Sequence, residues 1–313
     1  MRIHKLQLAA LVAAGSLLAA IPAMASDNSN QQQGSAVITV VSGNEIPGGI
    51  PQQDLQLKVD GKDSTITGWS PLRGPESSVE MVVLIDGGAR ANLGVQLPEI
   101  ARFIQALPPD AKVAVAYMEN GRAAFGGPLS TDRAAAVREL HLPFAGMSGE
   151  SASPYFCLSD LAKHWPSHDP RARREVVAVT DGVDYYDMRY DPEDPYVQAA
   201  IQDSVRAHLI VYTIYWRSSG FVDRTNFGAF SGQSLLAEVT EATGGNSYWE
   251  GNGDPATFQP YLDDIDRRLD DQYELKFMTP VGGKPQMASL KLKIAAQVKV
   301  DAPQQVYVHP VAQ

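Results

Sequence analysis

Four short apolar runs constrain the fold of this chain more than any other feature. They occupy residues 80–85 (EMVVLI), 112–118, 175–180 and 209–215. A strand with one solvated face alternates apolar and polar side chains, whereas a near-continuous apolar run belongs to a strand covered on both faces. Amphipathic helical patterns lie between the runs. One spans 95–107 and stops at Pro108-Pro109, and a second spans 155–165 and stops at Pro166. A third opens on Asp194-Pro195, a cap followed by proline at the first helical position, with Val197, Ile201 and Val205 four apart on one face. Strands alternating with helices predict an α/β domain with a doubly wound, mainly parallel sheet.

The flanks follow a different rhythm. Segments 36–42, 54–59 and 64–69 precede the α/β block, and the turn signal Asp60-Gly61 makes the last two a hairpin. After Gly244-Gly245 come a short strand at 247–249, a charged helix near 262–271, and strands at 273–278, 287–294 and 304–309. Neither flank makes a stable sheet alone, so both are expected to pack into one discontinuous β-sandwich beside the α/β domain.

The first residues place Arg2 and Lys5 before an apolar stretch from Leu6 to Ile21, then Pro22 and Ala23-Met24-Ala25. That is the order of a secretory signal peptide, with cleavage after Ala25 and a mature chain that is periplasmic or secreted, with no transmembrane segment left. The expected organisation is a signal peptide at 1–25, a flexible leader at 26–35 and N-terminal β segments at 36–75. The α/β domain at 76–271 and C-terminal β segments at 272–313 complete it. The single cysteine, Cys157, can form no intrachain disulfide and sits among Tyr155, Phe156, Leu158 and Leu161 as a small buried hydrophobe. A net charge of −10, or −12 without Arg2 and Lys5, disfavours a nucleic-acid partner.

In open α/β sheets, ligands sit where strands end at their carboxyl side. The first apolar run ends in Ile85-Asp86-Gly87-Gly88-Ala89-Arg90 and the third in Val179-Thr180-Asp181-Gly182. Between them Gly149-Glu150-Ser151-Ala152-Ser153 precedes a helix. These residues resemble the von Willebrand factor type A (vWA) family, in which D-x-S-x-S, a helix-opening Thr and the Asp of a T-D-G strand end hold a divalent cation. The Thr243-Gly244-Gly245 motif and the flanking β segments extend the likeness. The whole layout is similar to the bacterial exported VWFA-related Acidobacterial-type family, over nearly the whole mature chain.

Residue by residue, the resemblance places Asp86 and Asp181 at the two aspartate positions, with Gly88 and Arg90 where the serine hydroxyls stand. Ser153, or else Ser151, stands for the threonine. It thus implies a degenerate metal site of Asp86, Ser153 and Asp181 that binds Mg²⁺ or another divalent cation weakly or not at all, since such an ion prefers six oxygens. Arg90 either pairs with Asp86 or Asp181 in place of the ion or points to solvent while the two acids cap backbone amides. Arg90, Glu150, Ser151, Asp184, Tyr185, Tyr186, Asp187 and Tyr190 form an expected partner-binding rim, acids interleaved with contact-prone tyrosines.

The function that follows is protein–protein binding or adhesion at the cell envelope. An assembly role through the β-sandwich, and a hydrolase, are the alternatives. The hydrolase is poorly supported: Gly149 to Ser153 fails the G-x-S-x-G pattern at its last position, and Pro166 breaks the His164/His168 pair that could otherwise bind zinc. No catalytic residue and no cofactor are assigned.

Overall fold

A computed structural model describes residues 31–41, 49–73, 77–89, 91–143, 153–169, 171–184, 190–191, 193–217, 226–280, 282–295 and 298–311. The expected signal peptide and cleavage site lie outside these residues.

In chain order the elements are β1 (Gln32–Val41), β2 (Leu55–Val59), β3 (Lys62–Pro71), β4 (Val79–Asp86), α1 (Leu97–Ala106), β5 (Lys112–Glu119), β6 (Arg122–Phe125), α2 (Arg133–Arg138) and α3 (Pro154–Lys163). Then follow β7 (Arg173–Thr180), α4 (Pro195–Arg206), β8 (Leu209–Tyr215), α5 (Asn226–Thr243), β9 (Ser247–Tyr248), α6 (Gln259–Asp270), β10 (Gln272–Thr279), β11 (Gln286–Ile294), β12 (Lys299–Asp301) and β13 (Gln305–Pro310). Among the described residues no helix is long and apolar enough to cross a membrane.

The strands divide into two sheets, and together they correct the expected fold class. The chain is not an α/β molecule with a doubly wound, mainly parallel sheet and a flanking discontinuous β-sandwich. Seven strands form one antiparallel sheet in the order β10-β3-β2-β11-β13-β1-β12, in which β10 also pairs with β1. That last pairing closes six of them into a barrel, so there is no second sheet to face the first. The other six strands form a mixed sheet, β6-β5-β4-β7-β8-β9, with β6 antiparallel to β5 and the remaining pairs parallel.

Closure is what removes the exposed edges that two flanking strand groups would otherwise present. β10 bends at a register shift between Lys276 and Phe277, which lets it pair with β3 on one side and β1 on the other. Gly34, opposite Phe277, is needed there, because a Cβ would lie 2.6 Å from that ring. The barrel interior is filled by Ile38, Val59, Leu275, Phe277, Leu290 and Val308. β1 also begins earlier than expected: Gln32 and Gln33, part of the expected flexible leader, pair with Thr279 and Met278. Backbone pairing needs no apolar side chain, so composition alone concealed it.

In the mixed sheet β4 is buried along its whole length. Met81, Val83 and Ile85 pack with Ile100 and Ile104 of α1 and Ile265 of α6, while Val82 and Leu84 pack with Leu158 of α3, Ile201 of α4 and Val239 of α5. Burial on both faces is what the continuous apolar runs encode.

α6 runs directly into β10, so the sheet and the barrel meet at Gln272. The Gln272 Oε1 accepts from Arg173, and its Nε2 donates to Glu175 Oε1 at 3.0 Å and to the Tyr212 hydroxyl at 3.3 Å. Arg268, at 6% exposure, bridges Asp264 and Asp301 at 2.7 and 2.8 Å, tying α6 to β12. Burial pushes the Glu175 carboxyl up to about 7, opposed by the Arg173 charge and by hydrogen bonds from Gln272 and Tyr212.

A carboxyl raised in the folded state favours folding below its unfolded value and loses that contribution as pH rises through the folded one. Glu175 should therefore make the protein less stable between about pH 4.5 and 7. Glu175→Gln is expected to flatten this decline and to be more stable than wild type at alkaline pH by on the order of 1–3 kcal/mol. Thermal unfolding of both proteins across that range checks it; parallel pH profiles would refute the assignment.

Candidate functional site

The parallel register decides which side chains meet at the carboxyl edge of the mixed sheet. Ile85 of β4 pairs with Val179 of β7, so Asp86 and Thr180 come side by side as the two strands end. The Thr180 hydroxyl donates to Asp86 Oδ2 at 2.6 Å, and the Gly88 N–H donates to Oδ1 at 2.8 Å. Thr180 Oγ1 in turn accepts from Gly182 N–H at 3.2 Å. Burial raises the Asp86 pKa above the usual carboxylate value, and the hydrogen bonds from Thr180 and Gly88 oppose that shift.

Asp181 lies beside this pair, at 5% exposure, its Oδ1 accepting the Val183 N–H at 2.9 Å across a tight turn. Asp184 is also buried. α3 closes the site from one side, with Ser153 at its N-cap and Pro154 at its first position. Tyr155 of α3 donates from its hydroxyl to the Gly182 carbonyl at 2.7 Å. Burial, then the charges of Asp184 and Asp181, push this phenol well above its ordinary value, so it remains a neutral donor. Cys157, fully buried, donates to the Arg122 carbonyl at 3.4 Å, and burial followed by the Asp86 charge pushes its thiol up.

α5 closes the other side through Gly232, where a Cβ would sit 2.0 Å from the Asp181 carbonyl oxygen. Only a glycine lets the helix backbone approach the strand end so closely.

Of the residues expected from sequence, Asp86, Ser153 and Asp181 come to this edge. Tyr190 reaches the same rim, its hydroxyl donating to Glu238 Oε1 of α5 at 3.0 Å, and stays 43% exposed. Tyr196 packs on Phe156 with ring centroids 4.5 Å apart. Val95, Tyr196 and Phe230 add exposed apolar surface. Arg90, Glu150, Ser151, Tyr185, Tyr186 and Asp187 lie outside the described residues. Asp194 is a helix cap, accepting the Tyr196 and Val197 amides at 2.7 and 3.3 Å.

The divalent cation implied by the family resemblance does not fit the donors described here. Both Asp86 oxygens face protein hydrogens, and Gly88 supplies an amide where a ligating hydroxyl would be needed. The Ser153 Oγ is fully buried and without a hydrogen-bond partner, a single neutral donor toward an ion that prefers six oxygens. Among the described residues no three His, Cys, Asp or Glu side chains converge in a metal-holding group.

Sequence reading missed Thr180 as the partner of Asp86 and missed α5 altogether. Thr180 was legible only through strand register. α5 is buried on several sides, with Ser231, Gln233 and Thr240 buried alongside Leu235, Leu236 and Val239, so it shows no clear apolar stripe.

No family model matches the chain, and none of the curated proteins matches it. The solved structures similar to it include conserved hypothetical protein BatB from Bacteroides thetaiotaomicron, at 14% identity and a TM-score of 0.43, covering 61% of this chain and 97% of that one. An aerotolerance-related membrane protein from Bacteroides fragilis NCTC 9343 is similar at 15% identity and a TM-score of 0.42, over 61% and 98% of the two chains. The VWA domain of SpRpn10 is similar at 10% identity and a TM-score of 0.39, over 60% and 94%.

Thr180→Val should leave a buried Asp86 oxygen without its donor and destabilise the protein by about 1–3 kcal/mol, read as a lower denaturant midpoint. Gly232→Ala should force α5 away from the β7 end, with a loss of roughly 1–3 kcal/mol in the same measurement. A Gly232→Ala protein as stable as wild type would mean that the close approach is not required.

Proposed function

We propose that this chain is an exported, vWA-like binding protein that engages a protein partner at the cell envelope through the rim where β4 and β7 end, without tightly bound metal. The observation that carries this reading is the internal satisfaction of Asp86. Its two oxygens are held by Thr180 and Gly88, so the acid that resembles a cation ligand braces two strand ends instead. The hydroxyl and carboxylate paired at this edge, Thr180 and Asp86, are both buried away from any substrate, whereas Tyr190, Tyr196, Phe230 and Val95 expose aromatic and apolar area.

Tyrosine and phenylalanine offer large contact area at small entropic cost, and the buried Asp181 and Asp194 accept the Val183, Tyr196 and Val197 amides behind them. The charged groups left at the edge then act on partner choice and association rate more than on affinity.

Two measurements test the reading. Calorimetric titration with Mg²⁺ and with Mn²⁺ is expected to show no micromolar binding; binding in that range that disappears in Asp181→Ala would overturn the metal-free site. A photo-crosslinking residue at Tyr190 is expected to trap a protein adduct in intact cells, while the same residue at Lys58 on the barrel is not. Adducts at Lys58 alone would move the contact surface to the barrel and sink the rim assignment.

A further inference from the structure

The opposite, amino-terminal edge of the mixed sheet carries a concave surface. A cleft of about 670 Å³ opens there between the start of β7, the turn joining α4 to β8, and the barrel strands β1, β10 and β13. Its charge is opposite to that of the molecule. In a chain of net charge −10, the cleft is walled by Arg171, Arg173, Arg174, Arg206 and Lys276 against two acids, Asp169 and Glu274.

Both acids are already engaged: Asp169 lies 3.7 Å from Arg171 and Glu274 lies 3.0 Å from Lys276, and Arg206 lies 3.6 Å from Asp203 of α4. Arg173 and Arg174 have no carboxylate within 4.0 Å among the described residues. Arg174 donates to the carbonyls of Ala207 and Ser167, both at 3.3 Å, and Arg173 to the Leu269 carbonyl at 2.8 Å and to Gln272. Carbonyl dipoles orient these guanidinium groups without neutralising them.

Arg173 is 7% exposed, and its buried Nε–H has no acceptor. Burial lowers its pKa, the mark of a desolvated cation, and the pKa of Glu175, whose charge acts on it, is itself pushed up to about 7 by burial.

The rest of the wall mixes apolar residues with Ser35, His208, Thr243 and Gln305. Val37 of β1 and Tyr307 of β13 supply its half-buried apolar surface, over the buried Val205 and Val306, and the Arg206 guanidinium sits 5.8 Å over the Tyr307 ring. The size falls within the range of small-molecule pockets, roughly 300–1,000 Å³, and the place, between two structural units, is where such pockets concentrate.

We propose that this cleft binds a small amphipathic organic anion, its carboxylate or phosphate head against Arg171, Arg174 and Arg206 and its apolar body along Val37 and Tyr307. A ligand so placed touches both the barrel and the mixed sheet and holds them together. The site stands apart from the rim and does not depend on what the rim binds.

Calorimetric titration of the full chain with octanoate, octyl phosphate and inorganic phosphate, at low and at high salt, tests the proposal. The expected result is saturable binding of at least one amphiphile, about tenfold or more tighter than inorganic phosphate, weakening with salt. The tighter of the two amphiphiles identifies the head group. The double variant Arg171→Glu/Arg206→Glu is expected to weaken binding about tenfold or more, with Arg102→Glu on α1 unchanged. Should the double variant fail to fold by thermal melting, Arg171→Gln, at a side chain 80% exposed, is expected to show a smaller loss of the same sign. The proposal is overturned by the absence of saturable amphiphile binding, by inorganic phosphate binding as tightly as octyl phosphate, or by undiminished binding in a folded arginine variant.

Discussion

Burial of the central strands on both faces is the constraint on which the rest of this molecule depends. β4 and β8 are covered along their entire length, and β7 nearly so, by helices on either side. A charged group in the middle of such a strand would have neither water nor a partner, and its desolvation would cost several kcal/mol by order of magnitude. Polar chemistry is therefore driven to the strand ends. Asp86, Thr180 and Asp181 gather at the carboxyl edge, and Glu80, Arg173 and Glu175 at the amino edge.

The two edges solve the same problem differently. At the carboxyl edge the acids accept from nearby amides and hydroxyls, in short loops that brace the strand ends. At the amino edge the solution is long-range. Glu80 takes Lys112 at 2.9 Å and the Trp165 indole at 2.9 Å, while Arg173 and Glu175 share Gln272 from the first position of β10. That sharing is what attaches the barrel to the sheet. A joint made of buried hydrogen bonds tolerates little displacement, because each donor that loses its acceptor remains buried.

The barrel follows a separate logic. Its strands alternate buried and exposed residues, as in Leu55–Val59, and a sheet solvated on one face must still deal with its edges. β10 resolves this by pairing on both sides. Strands β1–β3 and β10, β11 and β13 thus join in one closed wall, with the mixed sheet inserted between the two groups.

The sequence by itself determined the buried strands, the helix that opens at Asp194-Pro195 and the acids at the ends of β4 and β7, because those are local: apolar runs, caps and turn residues act within a few positions of one another. It also marked Asp60-Gly61 as the turn of the β2–β3 hairpin. Only tertiary structure decided that Thr180 bonds Asp86, that Gln272 joins three buried side chains, and that the terminal strands close into a barrel instead of stacking as a sandwich. Each of these rests on the register between segments distant in the chain, and the alternation of apolar and polar residues that marks a one-faced strand is the same whether its sheet wraps round itself or packs against another.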